Sequence, residues 1–331
     1  MRKFVGVALF VLAAIVTLAG VGEAANWKLS HLRPVDSTVD QAVKVFAEKV
    51  ERGTDGRITI DIFGSNALGD YIVVHERVGL GSVEMAVQSM GTTLDRDLQL
   101  VNLSYLARDW DGVSRNFRLS SPMMQWVSER LRRQDIKLLG IYPAYFGGSA
   151  FSQEPPSPGD PTVPKNLKIR VPPQKVFELV GLSQNYIVTP LPFAEVFTAL
   201  QSGMVDGVFG AGAEGYYSNF RDVLRYYVPT NTHFELWFHI MNLELFESLS
   251  PEDQQVVVTA AAEMEAARFD VAPAEQGEYE QMLADYGITV IRLTPEELRT
   301  LSDVAHAEVW PAMRDEVSEG MFDEFISFIT D

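Results

Sequence analysis

The chain has 331 residues, of which 47% are hydrophobic and 22% are charged. This composition is typical of a globular protein, and the length suffices for two domains of ordinary size. The formal net charge of −18 repels nucleic acid and anionic lipid at long range, so no nucleic-acid partner is expected. The absence of cysteine excludes disulfides, thiolate metal sites and a lipid anchor on an N-terminal cysteine.

The N-terminus has the three parts of a secretory signal peptide. Arg2 and Lys3 supply positive charge, residues 4–18 form an apolar run, and small residues follow up to position 25. An uncleaved anchor is the alternative, but the run is shorter than the about 20 apolar residues of a membrane span. We therefore expect residues 1–25 to be a signal peptide, cut after Ala24 or Ala25, and the mature protein to be periplasmic.

The remaining chain shows two blocks in which predicted strands and helices alternate, separated by a proline-rich loop over residues 153–164. This alternation predicts an α/β protein with a mostly parallel sheet covered by helices. From Pro251 onward the pattern is helical, and Thr294 with Glu297 forms a capping box. The predicted strands cover residues 27–30, 58–62, 83–87, 167–171, 186–190 and 205–209, and the helices between them cover 37–52, 69–78, 174–180 and 193–201.

Arg170 is the strongest candidate for ligand binding. It lies in an otherwise apolar strand that ends at Pro172 and Pro173. Ligands of open α/β sheets bind beyond the carboxyl ends of strands, and a guanidinium offers a planar fork for a carboxylate or sulfonate. The same pattern also fits a surface arginine on an edge strand.

Residues 210–215 match the dinucleotide-binding motif G-x-G-x-x-G. The motif follows a predicted strand and opens a predicted helix, and Glu235 lies 20 residues beyond Gly215, where a ribose-binding acid would be expected. Its position deep in the chain and the signal peptide both argue against a nicotinamide cofactor, and we expect none. A turn that binds an anion at the helix start, or simply a tight turn, remains open.

Several aromatic and polar residues lie near the ends of predicted strands, where they could line a small pocket, although each alone is more often a core residue. No H-E-x-x-H or G-x-S-x-G pattern is present, so the sequence predicts neither a metal site nor a serine nucleophile. The residues of this kind are His31, Arg33, Tyr145, Phe193, Tyr217, His233 and Trp237.

Four segments resemble the solute-binding component of tripartite ATP-independent periplasmic (TRAP) transporters, of the DctP or C4-dicarboxylate-binding type. The resemblance covers nearly the whole mature chain, and it is the order and spacing of the segments that make it specific. The segments are residues 65–70 (SNALGD), 167–172 (LKIRVP), 190–203 (PLPFAEVFTALQSG, continued by VDG at 205–207) and 249–254 (LSPEDQ).

The resemblance implies a two-lobed, type II-like periplasmic-binding-protein fold with crossing strands and a long hinge helix. One lobe would comprise residues 26–145 and 237–277, and the other residues 146–236 and 278–331. The resemblance also implies that Arg170 clamps a ligand carboxylate and that Phe193 forms part of the pocket wall.

The chain departs from the family's sialic acid binders, so sialic acid is not the expected ligand. Gly148 stands where those proteins carry a second arginine, and Pro173 where they carry an asparagine. Residues 208–211 read Val-Phe-Gly-Ala in place of Gln-Glu-Asn-Pro. We expect Glu214 and Tyr217 to replace those contacts, and Gln88 completes the predicted ligand-binding set.

The resemblance implies a binding protein, not an enzyme, that captures a small organic acid between two lobes and delivers it to TRAP permease subunits in the membrane. The sequence leaves the oligomeric state open, and a monomer is the default expectation. The alternatives are a ligand-binding module of a sensory receptor and a secreted enzyme. Monocarboxylates, 2-oxo acids, dicarboxylates, sugar acids and sulfonates all remain possible ligands.

Overall fold

The computed structural model describes residues 25–329. The predicted signal peptide lies outside these residues, apart from Ala25. No helix among residues 25–329 is both long and apolar enough to cross a membrane.

The first part of the chain confirms the predicted alternation of strands and helices. Strand β1 (Ala25–His31) pairs in parallel with β2 (Ile58–Phe63) on one side and with β3 (Met85–Gln88) on the other. The side chain of Ser37 caps α1 by accepting a hydrogen bond from the Asp40 amide, as its position predicted. The elements are β1 (Ala25–His31), α1 (Thr38–Gly53), β2 (Ile58–Phe63), α2 (Tyr71–Gly79) and β3 (Met85–Gln88), followed by a 3₁₀ turn (Arg96–Asn102), α3 (Trp110–Asn116) and α4 (Pro122–Arg132).

One long strand, β4 (Ile136–Phe151), runs through the middle of the sheet. Its first part pairs antiparallel with β9 (Phe234–Asn242), and its last part pairs antiparallel with two strands of the second block. The register shifts between Pro143 and Phe146 and again between Gly148 and Ser149. The strand therefore changes partners over these residues and joins the two parts of the sheet.

The second part of the chain repeats the alternation of strands and helices. Its strand β5 (Lys168–Val171) lies between β6 (Ile187–Pro190) and β7 (Gly207–Gly212) and is parallel to both. Arg170 is therefore on an interior strand, and the alternative of an edge-strand arginine is wrong. The predicted helix from residue 193 begins with a 3₁₀ turn (Phe193–Glu195). The elements are β5 (Lys168–Val171), α5 (Lys175–Ser183), β6 (Ile187–Pro190), α6 (Val196–Gln201), β7 (Gly207–Gly212), α7 (Ala213–Phe220) and β8 (Tyr226–Val228).

The C-terminal part is helical, as predicted, and its dominant element is the 35-residue helix α9 (Pro251–Asp285), which packs against β4 and α1. The predicted capping box of Thr294 and Glu297 is present. The sheet order is β2-β1-β3-β9-β4-β7-β5-β6. The remaining elements are α8 (Leu243–Ser248), β10 (Thr289–Val290), α10 (Pro295–Val304), a π-helical turn (Ala305–Val309), α11 (Trp310–Glu316) and α12 (Met321–Ile326).

Two histidines, His239 on β9 and His233 just before it, are buried in the protein. His239 on β9 packs edge-on against Phe46, with 4.5 Å between ring centroids. Burial lowers the pKa of His239 to about 3 and the pKa of His233 to about 4. Both side chains are therefore mostly neutral in the folded protein at pH values well above 4.

We expect the protein to lose stability as the pH falls from about 6.5 toward 4. In this range both histidines take up protons in the unfolded chain and stay neutral in the fold, so protonation favours unfolding. Each contributes at most roughly 1.4 kcal/mol per pH unit. Urea unfolding at pH 7.5, 6.5, 5.5 and 4.5 should give a shallower pH dependence for His239→Leu than for the wild type.

The matched control is Phe46→Leu, which alters the same ring contact without changing a titratable group. This control should lower the free energy of unfolding while keeping the wild-type pH dependence. Equal pH dependence in the wild type and His239→Leu would contradict the assignment of a neutral His239.

Candidate functional site

A small cavity of about 30 Å³, here called the central cavity, lies where strand ends from both parts of the sheet meet. The carboxyl ends of β1, β3, β5 and β7 point toward it, and the start of antiparallel β9 closes it. This is the position at which open α/β sheets bind ligands. The polar residues lining it are Arg33, Tyr71, Ser89, Asn102, Arg170, Gln174, His233 and Glu235.

The chain also has larger surface grooves, and one of about 700 Å³ lies between α1 and α9. Its charged groups are solvated or paired at the surface, as in the contact between Lys49 Nζ and Glu263 Oε2 at 2.6 Å. The central cavity differs because its charged side chains are buried, and a buried charge requires a compensating partner.

Arg170 is fully buried beside the central cavity without an acidic partner. Its Nε donates to the Leu191 carbonyl at 2.8 Å and its Nη1 to the Phe209 carbonyl at 3.2 Å. Its Nη2 is buried without a hydrogen-bond partner, and no carboxylate within residues 25–329 forms an ion pair with it. Burial lowers the pKa of Arg170 below its usual value. A buried cation in this state would be stabilised by an anion entering the cavity.

Arg33 lies in the same cavity wall but is already compensated. Its Nε donates to Glu214 Oε2 at 2.6 Å and its Nη2 to Glu235 Oε1 at 2.7 Å. Burial opposes the charged form, but the two carboxylates raise the pKa of Arg33 above its usual value. Its guanidinium also lies over the rings of Trp237 and Phe193, at 4.6 and 5.4 Å from their centroids. We call Glu214, Arg33 and Glu235 the Arg33 triad.

The glycine-rich motif serves packing around this triad. A Cβ on Gly215 would lie 2.6 Å from Arg33 Nη2, and a Cβ on Gly212 would lie 2.9 Å from the Phe146 carbonyl. The Gly212 amide, at the start of α7, already donates to Glu235 Oε2 at 2.9 Å. The Glu235 carboxylate thus accepts the amide hydrogen bond that a bound phosphate would accept at this helix start. Its contacts do not support the hypothesis that it binds a ribose.

Of the predicted site residues, Arg33, Arg170, Phe193 and His233 line the central cavity. The ring of Phe193 lies 5.9 Å from the Arg170 guanidinium carbon, so it covers one side of that group. His233 packs edge-on against Phe177 and Phe209. The structure thus brings together the predicted arginines and two of the predicted rings.

Three further predicted residues line a second cavity of about 10 Å³ behind Arg33. Glu214 belongs to the Arg33 triad, and Trp237 Nε1 donates to Glu235 Oε1 at 3.2 Å. The Tyr145 hydroxyl donates to Glu275 Oε2 on α9 at 2.7 Å. These three side chains thus lie behind Arg33, one layer away from the central cavity.

His31, Gln88 and Tyr217 lie outside both cavities. His31 Nε2 is 3.0 Å from Asp40 Oδ1, and Gln88 Nε2 donates to the Tyr71 carbonyl at 2.8 Å. Tyr217 lies on the partly exposed side of α7, where the Arg221 guanidinium stacks on its ring at 4.7 Å. The structure places these three in contacts that fix α1, α2 and α7.

Sequence reasoning missed Tyr71, Ser89, Asn102 and Gln174. Ser89 and Gln174 follow β3 and β5 closely, so the strand-end rule could have found them. Asn102 ends a 3₁₀ turn and donates to Gln174 Oε1 at 2.8 Å, a contact that no local pattern predicts. Burial raises the pKa of Tyr71 to about 12, so its hydroxyl keeps its proton.

Gly148 has no space for the second arginine of the sialic acid binders. A Cβ at this position would lie 2.5 Å from the Val228 carbonyl and 2.8 Å from Tyr227 Cε2. Within residues 25–329, no group of three His, Asp or Glu side chains is arranged to hold a metal ion.

Comparison with known proteins identifies relatives of this architecture. Residues 29–315 match the family described as "Bacterial extracellular solute-binding protein, family 7". A solute-binding protein of Roseobacter denitrificans is 29% identical over 256 residues, which is 76% of each chain.

Two solved structures share the fold. The sugar acid binding protein DctPAm from Advenella mimigardefordensis, in complex with galactonate, superposes with a TM-score of 0.85 at 20% identity, over 93% of this chain and 98% of that one. A TRAP periplasmic solute-binding protein from Shewanella oneidensis with bound succinate gives a TM-score of 0.82 at 23% identity, over 92% and 99%. The predicted two-lobed periplasmic-binding fold is thereby confirmed. The chain belongs to the bacterial extracellular solute-binding proteins of family 7, the DctP family of TRAP solute-binding proteins.

Proposed function

We propose that this protein captures a small organic anion in the central cavity, with Arg170 as the group that binds its carboxylate or sulfonate. The observation that carries the proposal is the buried Arg170 guanidinium, whose Nη2 lacks a partner and which forms no ion pair with an acid of the described chain. Two charge-assisted hydrogen bonds from a ligand anion would offset the cost of burying this cation.

The relatives support the same ligand chemistry. The Advenella structure holds galactonate and the Shewanella structure holds succinate, both of which are carboxylates. Phe193 would cover the bound anion, and Tyr71, Ser89, Asn102 and Gln174 would contact the rest of the ligand.

We further propose that capture proceeds by closure of two lobes, comprising residues 26–145 with 237–277 and residues 146–236 with 278–331. The partner change in β4 near Gly147 would mark one crossing, and α9 would act as the hinge helix. The side chain of Asp70 accepts a hydrogen bond from the Ala194 amide at 3.1 Å, which links the two lobes beside the cavity. A ligand touching both lobes favours the closed state, and exclusion of water strengthens its pair with Arg170.

The proposed setting is the periplasm, where the closed, monomeric protein would deliver its ligand to the TRAP permease. The family consists of solute-binding proteins, and several relatives are named as periplasmic. We therefore propose a role in binding and delivery, without turnover of the ligand.

Replacing Arg170 with alanine should abolish most of the binding. A panel of monocarboxylates, 2-oxo acids, dicarboxylates, sugar acids and sulfonates is first screened by thermal unfolding, because a ligand of the folded state raises the unfolding midpoint. For the acid with the largest shift, Arg170→Ala should lose about 2–5 kcal/mol of binding free energy in isothermal titration.

The control is Arg118→Ala, which removes an arginine stacked on Phe269 at 4.1 Å, outside the central cavity. This variant should keep wild-type affinity. Undiminished affinity in Arg170→Ala would overturn the proposed function.

Signal peptidase should cut the precursor after Ala24. Strand β1 begins at Ala25, whose amide donates to the Arg57 carbonyl at 2.8 Å, and a cut after Ala24 preserves that contact. Intact-mass analysis of the periplasmic fraction should give a chain starting at Ala25, while Val11→Arg, which interrupts the apolar run, should retain the precursor in the cell. A periplasmic chain that keeps residues 1–24 would contradict this proposal.

A further inference from the structure

We infer that the central cavity selects a hydroxylated acid with one carboxylate and discriminates against the matching acid with two. This inference rests on the proposed function, because it assumes that Arg170 binds the ligand's acidic group. It goes further because it assigns to the Arg33 triad the selection of ligands by their charge.

The charged side chains that line the central cavity, and Glu214, which pairs with one of them, are all buried. Arg33 and Arg170 are each 1% exposed, Glu214 is 4% exposed and Glu235 is 6% exposed. Salt screens such groups far less than it screens surface charges. Two carboxylates share the one guanidinium of Arg33, so the triad carries a net negative charge, whereas the positive charge of Arg170 has no ion-pair partner within residues 25–329.

The cavity is therefore polarised, with a cationic wall at Arg170 and an anionic wall at Glu235. One carboxylate on the ligand suits Arg170. A second carboxylate would meet a triad of net negative charge, in which the Nε and Nη2 groups of Arg33 are bonded to Glu214 and Glu235 and only Nη1 is left to donate. Like charges in such a poorly solvated site repel strongly.

The remaining groups suit hydroxyls. Arg33 Nη1 is a buried donor without a partner, and the Glu235 carboxylate is an acceptor in the same wall. A hydroxyl both accepts and donates, so it can accept from Arg33 Nη1 and donate to the Glu235 carboxylate, whereas a ligand ammonium only donates. The uncharged residues Ser89, Asn102 and Gln174 also favour hydroxyl groups over a second charge.

The test compares pairs of acids that differ only in their terminal group, namely threonate with tartrate, galactonate with galactarate, and gluconate with glucarate. Thermal unfolding of the mature protein screens all six, and isothermal titration measures each pair that gives a shift. We expect at least one monoacid to bind, and to bind at least about tenfold more tightly than its diacid partner.

The outcomes separate the inference from the proposed function. A diacid, including succinate, that binds as tightly as the best monoacid overturns the inference, while its loss in Arg170→Ala keeps the proposed function. Binding only of 2-oxo acids or sulfonates likewise overturns the inference, and its loss in Arg170→Ala likewise keeps the proposed function. Failure of every acid in the wider panel overturns both.

Two charge-removing variants test the role of the triad. Glu235→Gln and Glu214→Gln each keep a side chain of the same shape but remove one negative charge beside Arg33. Either should raise the ratio of diacid to monoacid affinity by about tenfold over the wild type. Because the ratio compares two ligands on one protein, a moderate loss of stability in a variant does not affect it.

The control is Glu280→Gln, another buried acid paired with an arginine, whose Oε2 lies 2.8 Å from Arg292 Nη1 and which lines neither cavity. Its ratio should equal that of the wild type. An unchanged ratio in both triad variants would overturn the assignment of ligand charge selection to Arg33, Glu214 and Glu235.

Discussion

The guanidinium of Arg170 is held deep in the protein by two backbone carbonyls, from Leu191 and Phe209, and no carboxylate of the described chain forms an ion pair with it. A fold can bury a cation in this way only if other interactions supply the stability that it costs. Strand β5 lies inside the sheet and ends at the cavity, so the position of Arg170 is fixed by the sheet itself. An anionic ligand that pairs with Arg170 would offset the cost of burying this cation.

Arg33 shows what a compensated arginine looks like in the same cavity. It lies in the loop after β1, and two distant segments, the start of α7 and the start of β9, converge on it. The glycines at 212 and 215 allow this approach, because a Cβ at either position would clash with neighbouring atoms. The site can thus bind one ligand carboxylate at Arg170 and disfavour a second one near Arg33, because the two arginines have different surroundings.

Much of the fold was predictable because its local signals agree with its tertiary contacts. Ser37 caps the helix that its position predicts, and the strand containing Arg170 ends where the prolines predict. The long crossing strand β4 was not predicted, since its role depends on partners about 60 to 100 residues away, in β7 and β9. Its register shifts leave no periodic pattern in the sequence.

The site was predictable in part. The strand-end rule and the family resemblance both pointed to Arg170, but proximity along the chain could not separate residues of the central cavity from those one layer behind, such as Tyr145 and Trp237. Glu235 fitted the spacing of a ribose-binding acid, although its carboxylate pairs with Arg33, which is distant in sequence. Which acids compensate which arginines is decided by tertiary contacts, and these are not visible in a single sequence.

The most direct measurement is a crystal structure of the mature protein with the acid that gives the largest thermal shift. Our account predicts a ligand carboxylate within hydrogen-bond distance of Arg170 Nη2, with Arg33 still bonded to Glu214 and Glu235. A ligand whose acidic group pairs with Arg33 instead, having displaced those two carboxylates, would contradict it.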